Sequence, residues 1–279
     1  MRPSPTSSSL LGAVVGSAAL VLAGAPEAHA TPKPLPFSYF ANVQPVGAFE
    51  IETYTDVSPV RVARVTDAGS DTVTALGFGL QTELEVGLCE GLELGWYFAF
   101  KQDAAADGTA FELDGIKQRL RWQLAPADAW PIDVALYGEL AELHDELEIE
   151  EKLILSKRVG AWRFAVNVVF EQEYGYADEA WELVYNPSVG VVYDLSPSVS
   201  LGLEYWAHGT IEDEDEGEGA EGEESEGAVH YLGPTLYAAT KGPWFSLGAY
   251  VRMDSLGDKP TVGDPYGKLW VRAIVGFDL

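Results

Sequence analysis

The 279-residue sequence contains a single cysteine, Cys89, which excludes an intrachain disulfide framework and every multi-cysteine metal site. Basic residues are scarce: 17 Lys and Arg stand against 44 Asp and Glu, a net charge of −27, the wrong sign for a nucleic-acid partner. Histidine is sparse too, and only His144, His208 and His230 lie beyond the first thirty residues. No glycine-rich phosphate loop follows a strand pattern and no Ser-His pair falls at strand spacing, so the sequence offers no enzyme motif. After Thr31 no apolar run approaches a spanning helix, and no long stretch repeats with a period of 3.6. Apolar residues nevertheless make up 47% of the chain, with 8 Trp and 13 Tyr, which a disordered acidic chain lacks.

The first thirty residues read as an address. Arg2 precedes an apolar stretch of small residues, Leu and Val from Leu10 to Ala25, and Ala28-His29-Ala30 matches a signal-peptidase site. Residues 1–30 are therefore expected to be a secretory signal peptide. Residues 31–45 are expected to form an N-terminal periplasmic segment, and residues 46–279 the folded body.

That body alternates. Leu80, Thr82, Leu84, Val86 and Leu88 interleave with Gln81, Glu83, Glu85 and Gly87, and Trp162, Phe164, Val166, Val168 and Phe170 interleave with Arg163, Ala165, Asn167 and Val169. Each such run is a strand with one apolar and one polar face. The pattern predicts twelve strands, near 46–55, 75–88, 92–102, 111–124, 131–142, 147–157, 161–173, 181–194, 198–209, 229–240, 244–254 and 267–279. Short connections such as Cys89-Glu90-Gly91 alternate strictly with mostly longer ones such as 56–74 and 210–228. Tight turns at one end and loops at the other predict an all-β, antiparallel up-and-down barrel. Charged residues on nearly every polar row put that row inside and the apolar row against lipid. Trp122, Trp162, Tyr193 and Trp244 are expected at the short-turn rim, and Trp181 and Tyr205 at the other.

From Val46 to Leu279 the chain resembles Gram-negative outer-membrane β-barrel proteins of porin-like architecture. Its last strand alternates to the final residue, although that residue is Leu279 rather than an aromatic, with Phe277 two before it. The resemblance implies a transmembrane barrel in the outer membrane with both termini periplasmic. It also implies outer-membrane lipid, lipopolysaccharide and the barrel-assembly machinery as partners.

The expected lumen wall comprises Glu50, Glu52, Glu83, Glu85, Glu93, Lys117, Arg119, Arg121, Asp133, Glu139, Glu150, Lys152, Arg163, Glu182, Glu204, Arg252, Lys268 and Arg272. Opposite charges face each other across neighbouring strands, and on closure Lys268 and Arg272 are expected to meet Glu50 and Glu52. Such a wall suits a small pore or substrate-selective channel for small solutes, with a slight preference for cations. The alternative reading is a structural or surface-interaction barrel whose lumen is filled by salt bridges, with a barrel enzyme as the third. The 210–228 loop carries Glu212, Asp213, Glu214, Asp215, Glu216, Glu218, Glu221, Glu223, Glu224 and Glu226, expected outside the cell as a cation-attracting mouth. It lacks the EF-hand pattern, so Ca²⁺ or Mg²⁺ is expected there only as a loosely held ion, and no cofactor elsewhere. His208 and His230 flank this loop. Glu151 breaks the scheme, because it shares the apolar row of its strand.

Overall fold

The computed structural model describes residues 33–66, 69–211, 228–254, 256 and 259–279. The expected signal peptide and the acidic 212–226 run lie outside the described residues; of the 210–228 loop only residues 210, 211 and 228 are described.

Thirteen β-segments follow in chain order: β1 Phe49–Thr66, β2 Gly69–Cys89, β3 Leu92–Gln102, β4 Glu112–Gln123, β5 Asp133–Leu143, β6 Glu146–Val159, β7 Trp162–Gly175, β8 Ala180–Tyr185, β9 Ser188–Ser196, β10 Val199–Ile211, β11 Val229–Ala239, β12 Pro243–Arg252 and β13 Leu269–Asp278. β8 and β9 both pair with β7 on one side and β10 on the other, so they are halves of one stave and the barrel has twelve. The break falls at Asn186-Pro187, where proline has no N–H for the ladder. The Asn186 N–H instead reaches the Val169 carbonyl (3.1 Å), and the Pro187 carbonyl accepts from Ala207 N–H (3.0 Å). β1 pairs with β13 from Glu50↔Asp278 to Val57↔Val271, closing the barrel and leaving no edge strand.

The alternation sets the faces. Leu120, Leu140, Phe98 and Leu203 point out and are exposed, whereas Glu50, Glu83, Arg119 and Ile154 point in and are buried. Trp162 packs edge-on to Tyr193 (4.8 Å) at the short-turn rim, and Tyr174 meets Trp181 (5.2 Å) at the other. Trp244 departs from the expected girdle: it is 2% exposed and points inward, where Gly276 leaves room and Glu50 accepts its indole N–H.

Two further expectations are corrected. The first strand does not end near residue 55; β1 and β2 continue as one hairpin in register to Thr66↔Gly69. The segment expected in the periplasm lies inside the barrel from Lys33 onward, with Lys33, Leu35, Ser38, Ala41 and Gln44 buried. Its aromatic and aliphatic side chains take lumen surface out of water, and its backbone satisfies polar groups on the wall.

Candidate functional site in the barrel lumen

The inner segment, here the strap, makes no regular ladder with the barrel. Side chains hold it instead. Glu204 accepts the N–H groups of Phe37 (3.1 Å) and Ser38 (2.6 Å), and Asn167 bonds both the N–H (2.6 Å) and the carbonyl (3.0 Å) of Tyr39. Ser156 Oγ accepts Ala41 N–H (3.0 Å), and Glu93 accepts Gln44 N–H (2.7 Å). Leu35 sits where a Cβ on Gly190 would collide with it and one on Gly202 would press against it at 3.3 Å, so glycines on two adjacent strands shape its socket. Burying Leu35 and Phe40 is worth about 1.5–3 kcal/mol each.

The strap begins in a carboxylate cluster. Lys33 Nζ lies 2.5 Å from Glu52, 2.8 Å from Glu85 and 3.6 Å from Glu83, and donates to Tyr54 Oη (2.7 Å). Burial pushes the pKa of this ammonium down, but Glu52, Glu85 and Glu83 more than offset that and hold it well above the usual lysine value. Beside it, Arg119 reaches Glu83 (2.6 Å), Glu93 (2.5 Å) and Tyr97 Oη (2.9 Å), and also pairs with Glu85. Arg121 adds a second bond to Glu93 at 2.9 Å. A buried network of this kind is favourable only where nearly every charge has a partner.

Above the strap is a cavity of about 200 Å³ whose floor includes Phe37 and Tyr39. Tyr54, Tyr97 and Tyr137 line one part of it, and Glu139, Glu148, Glu150 and Glu171 another. Lys117 stands 3.3 Å from both Glu139 and Glu148, and Lys152 stands 2.8 Å from Glu150. On the far wall Arg272 pairs with Asp56 (2.8 Å), its register partner, and lies 3.9 Å from the centroid of the Phe37 ring.

The structure thus brings most of the expected wall together, with specific departures. Arg272 meets Asp56 rather than Glu50 or Glu52, because the register sets Glu50 opposite Asp278 and Glu52 opposite Gly276. Lys268 precedes β13 and is exposed, and Glu182 is exposed near the loop end of β8. Asp133 lies at the short-turn rim and accepts Asp128 N–H (2.7 Å). Arg163 pairs with Asp194 (2.7 Å), and Arg252 with Asp264 (2.5 Å) and Asp254 (2.8 Å). Sequence reasoning missed the strap. Its signal was the aromatic content of Phe37-Ser38-Tyr39-Phe40, unusual for a solvated tail.

Among the described residues three groups have donor atoms within 4.8 Å of one another: Glu171, Glu173 and His208; Glu148, Glu150 and Glu171; and Glu50, Glu52 and Glu85, the last already served by Lys33 and Gln44. The two loop-flanking histidines do not converge: the His208 ring lies tilted against Tyr266 (5.1 Å between centroids), while His230 Nδ1 hydrogen-bonds Tyr205 Oη (2.7 Å).

No family model and no curated protein matches the chain. Its fold is similar to that of an outer membrane channel from Pseudomonas putida F1, with TM-score 0.60 and 12% identity over 86% of this chain and 98% of that one. It is also similar to the NanC porin, with TM-score 0.54 and 8% identity over 82% and 100% of the two chains. The architecture is that of a Gram-negative outer-membrane β-barrel.

Proposed function

We propose that the chain is an outer-membrane pore, a small substrate-selective channel whose passage is set by the strap. The observation that carries this reading is the charged cavity of about 200 Å³ that ends on Phe37 and Tyr39. Its floor is a segment held by side chains rather than by strand pairing. The fold shared with outer-membrane channels supports the same reading, as does the apolar outer row, which suits a lipid surface. The passage prefers small polar solutes, and cations over anions.

The test is single-channel recording in planar bilayers on the full chain and on a variant lacking residues 33–44. The full chain is expected to give small steady steps, and the deletion steps several-fold larger. Silence from both, with folded protein inserted, would favour the second reading: a structural barrel whose lumen is filled. The buried Arg119 network is the feature that supports that alternative.

A further inference from the structure

The outward row is apolar around most of the barrel; apart from the hydroxyls Thr53, Thr55 and Thr82 on β1 and β2, its polar exceptions within the apolar band are gathered. β3 presents Leu94, Trp96, Phe98 and Phe100; β9 presents Val189, Val191 and Tyr193; β12 presents Phe245, Leu247 and Val251. On β4, β6 and β7 the same row contains Gln118, Glu151 and Gln172. These are close neighbours: Gln118 faces Leu140, Ile149 faces Gln172, and Glu151 faces Gly138 one step nearer the short-turn end. Gln172 Nε2 donates to both Glu151 oxygens, at 3.2 and 3.4 Å. On β7 the residue opposite Glu151 is Phe170, two outward positions from Tyr174 of one aromatic rim and four from Trp162 of the other. Glu151 therefore sits within the apolar band rather than at its border.

The surface there is also recessed. Gly138 faces outward, and a Cβ built on it would meet nothing within 4 Å. A depression of about 240 Å³ opens one strand away, between β3 and β4, lined by Trp96, Phe98, Ile116 and Gln118. Lipid chains offer no donors to a carboxylate and no partner to a free amide, so an acidic side chain on this face is unfavourable unless protein covers it.

We propose that the β4–β7 face is the contact surface of a two-fold dimer with a second copy of this chain in the membrane. The inference rests on the outer-membrane reading above. A two-fold axis along the membrane normal, running between β5 and β6, sets β4 of one copy against β7 of the other. The Gln118 amide, which has no hydrogen-bond partner among the described residues, then faces β7 of its neighbour, where Gln172 is held by Glu151. Acceptor and donor are complementary in both directions because the contact is isologous. Gly138 lies close to the axis and lets the two sheets approach.

The test uses the full chain with Cys89→Ala, which removes the only native thiol. Gly138→Cys places a thiol near the axis, and Leu247→Cys places one on the opposite wall as a control. Oxidation in native membranes is expected to link the first into a dimer and leave the second monomeric. Glu151→Leu should weaken the dimer about tenfold or more in lipid nanodiscs, read by mass photometry. Gly138→Trp should abolish it without disturbing the barrel, since Gly138 faces outward and a Cβ there meets nothing within 4 Å. Equal cross-linking at both positions, or a monomer in lipid that is unaffected by either substitution, would overturn the dimer. Unheated gel mobility and membrane fractionation are read on every sample. A folded, inserted monomer defeats only the dimer, whereas a soluble protein defeats the membrane reading beneath it. Cross-linking to lipopolysaccharide or to a different protein at Gly138 would also count against the second copy.

Discussion

Lys33 balances charge at the base of the lumen, and replacing it isolates what a single ammonium does there. Lys33→Met leaves Glu52 and Glu85 without the cation now 2.5 and 2.8 Å away. Removing one member of a buried pair costs roughly 3–5 kcal/mol. The strap makes no ladder, so the loss should appear as strap release rather than barrel unfolding. Chymotrypsin should then cut at Phe37 or Tyr39 while unheated gel mobility is retained; a strap as protected as in the parent would remove Lys33 from this role. The pH dependence follows from the direction of the shift. A raised lysine pKa contributes stability that is complete below the ordinary value and lost only as pH rises through the higher one. Strap protection should therefore persist at about pH 9, well below that point. Exposed pairs behave differently. Arg64 and Asp71 are 44% and 51% exposed, so Arg64→Ala should leave the thermal unfolding of the barrel unchanged.

At the scale of elements the strap and its socket are matched in shape. Gly190→Val would drive a side chain into Leu35, and overpacking of this kind costs about 1–3 kcal/mol. Leu35→Ala alone opens a hole, but combined with Gly190→Val it should recover strap protection lost in either single variant. A double-mutant cycle showing simple additivity would mean that the two residues do not share the socket. The same elements show what the sequence could and could not reveal. Strands such as β3 and β7 were legible because a period of two needs no knowledge of neighbours. The outer half of the β1–β2 hairpin was not, since Val62, Arg64, Asp71 and Thr72 extend past the apolar band and lose the contrast that marks a face. The ion pairs were legible where partners lie on adjacent strands, as for Arg121 and Glu93. They failed at closure, because shear decides whether Arg272 meets Asp56 or Glu52. The strap escaped notice because it pairs with no strand, so nothing periodic marks it.

At the scale of the whole molecule, orientation and charge act together. With tight turns in the periplasm, an epitope near Gly219 should be reachable on intact cells and one near Gly160 should not; reversed labelling would invert the barrel. The sequence between β10 and β11 carries the acidic residues Glu212–Glu226, and the cavity wall itself carries Glu139, Glu148, Glu150 and Glu171 against Lys117, Lys152 and Arg272. Low-dielectric walls focus such a field and enrich cations. The two sources differ in screening. Mobile ions reduce the influence of solvated loop charges beyond about 8 Å at physiological salt, but reach a half-enclosed wall poorly. Deleting Glu212–Glu226 should therefore lower cation preference mainly in dilute KCl. Replacing Glu148 and Glu171 by Gln should lower it in both dilute and concentrated KCl, because the lysines then stand against fewer carboxylates. Reversal potentials across a KCl gradient read both effects on one scale. Anion preference in the parent, or a Glu148→Gln, Glu171→Gln variant with unchanged reversal potential, would show that permeating ions do not pass this wall.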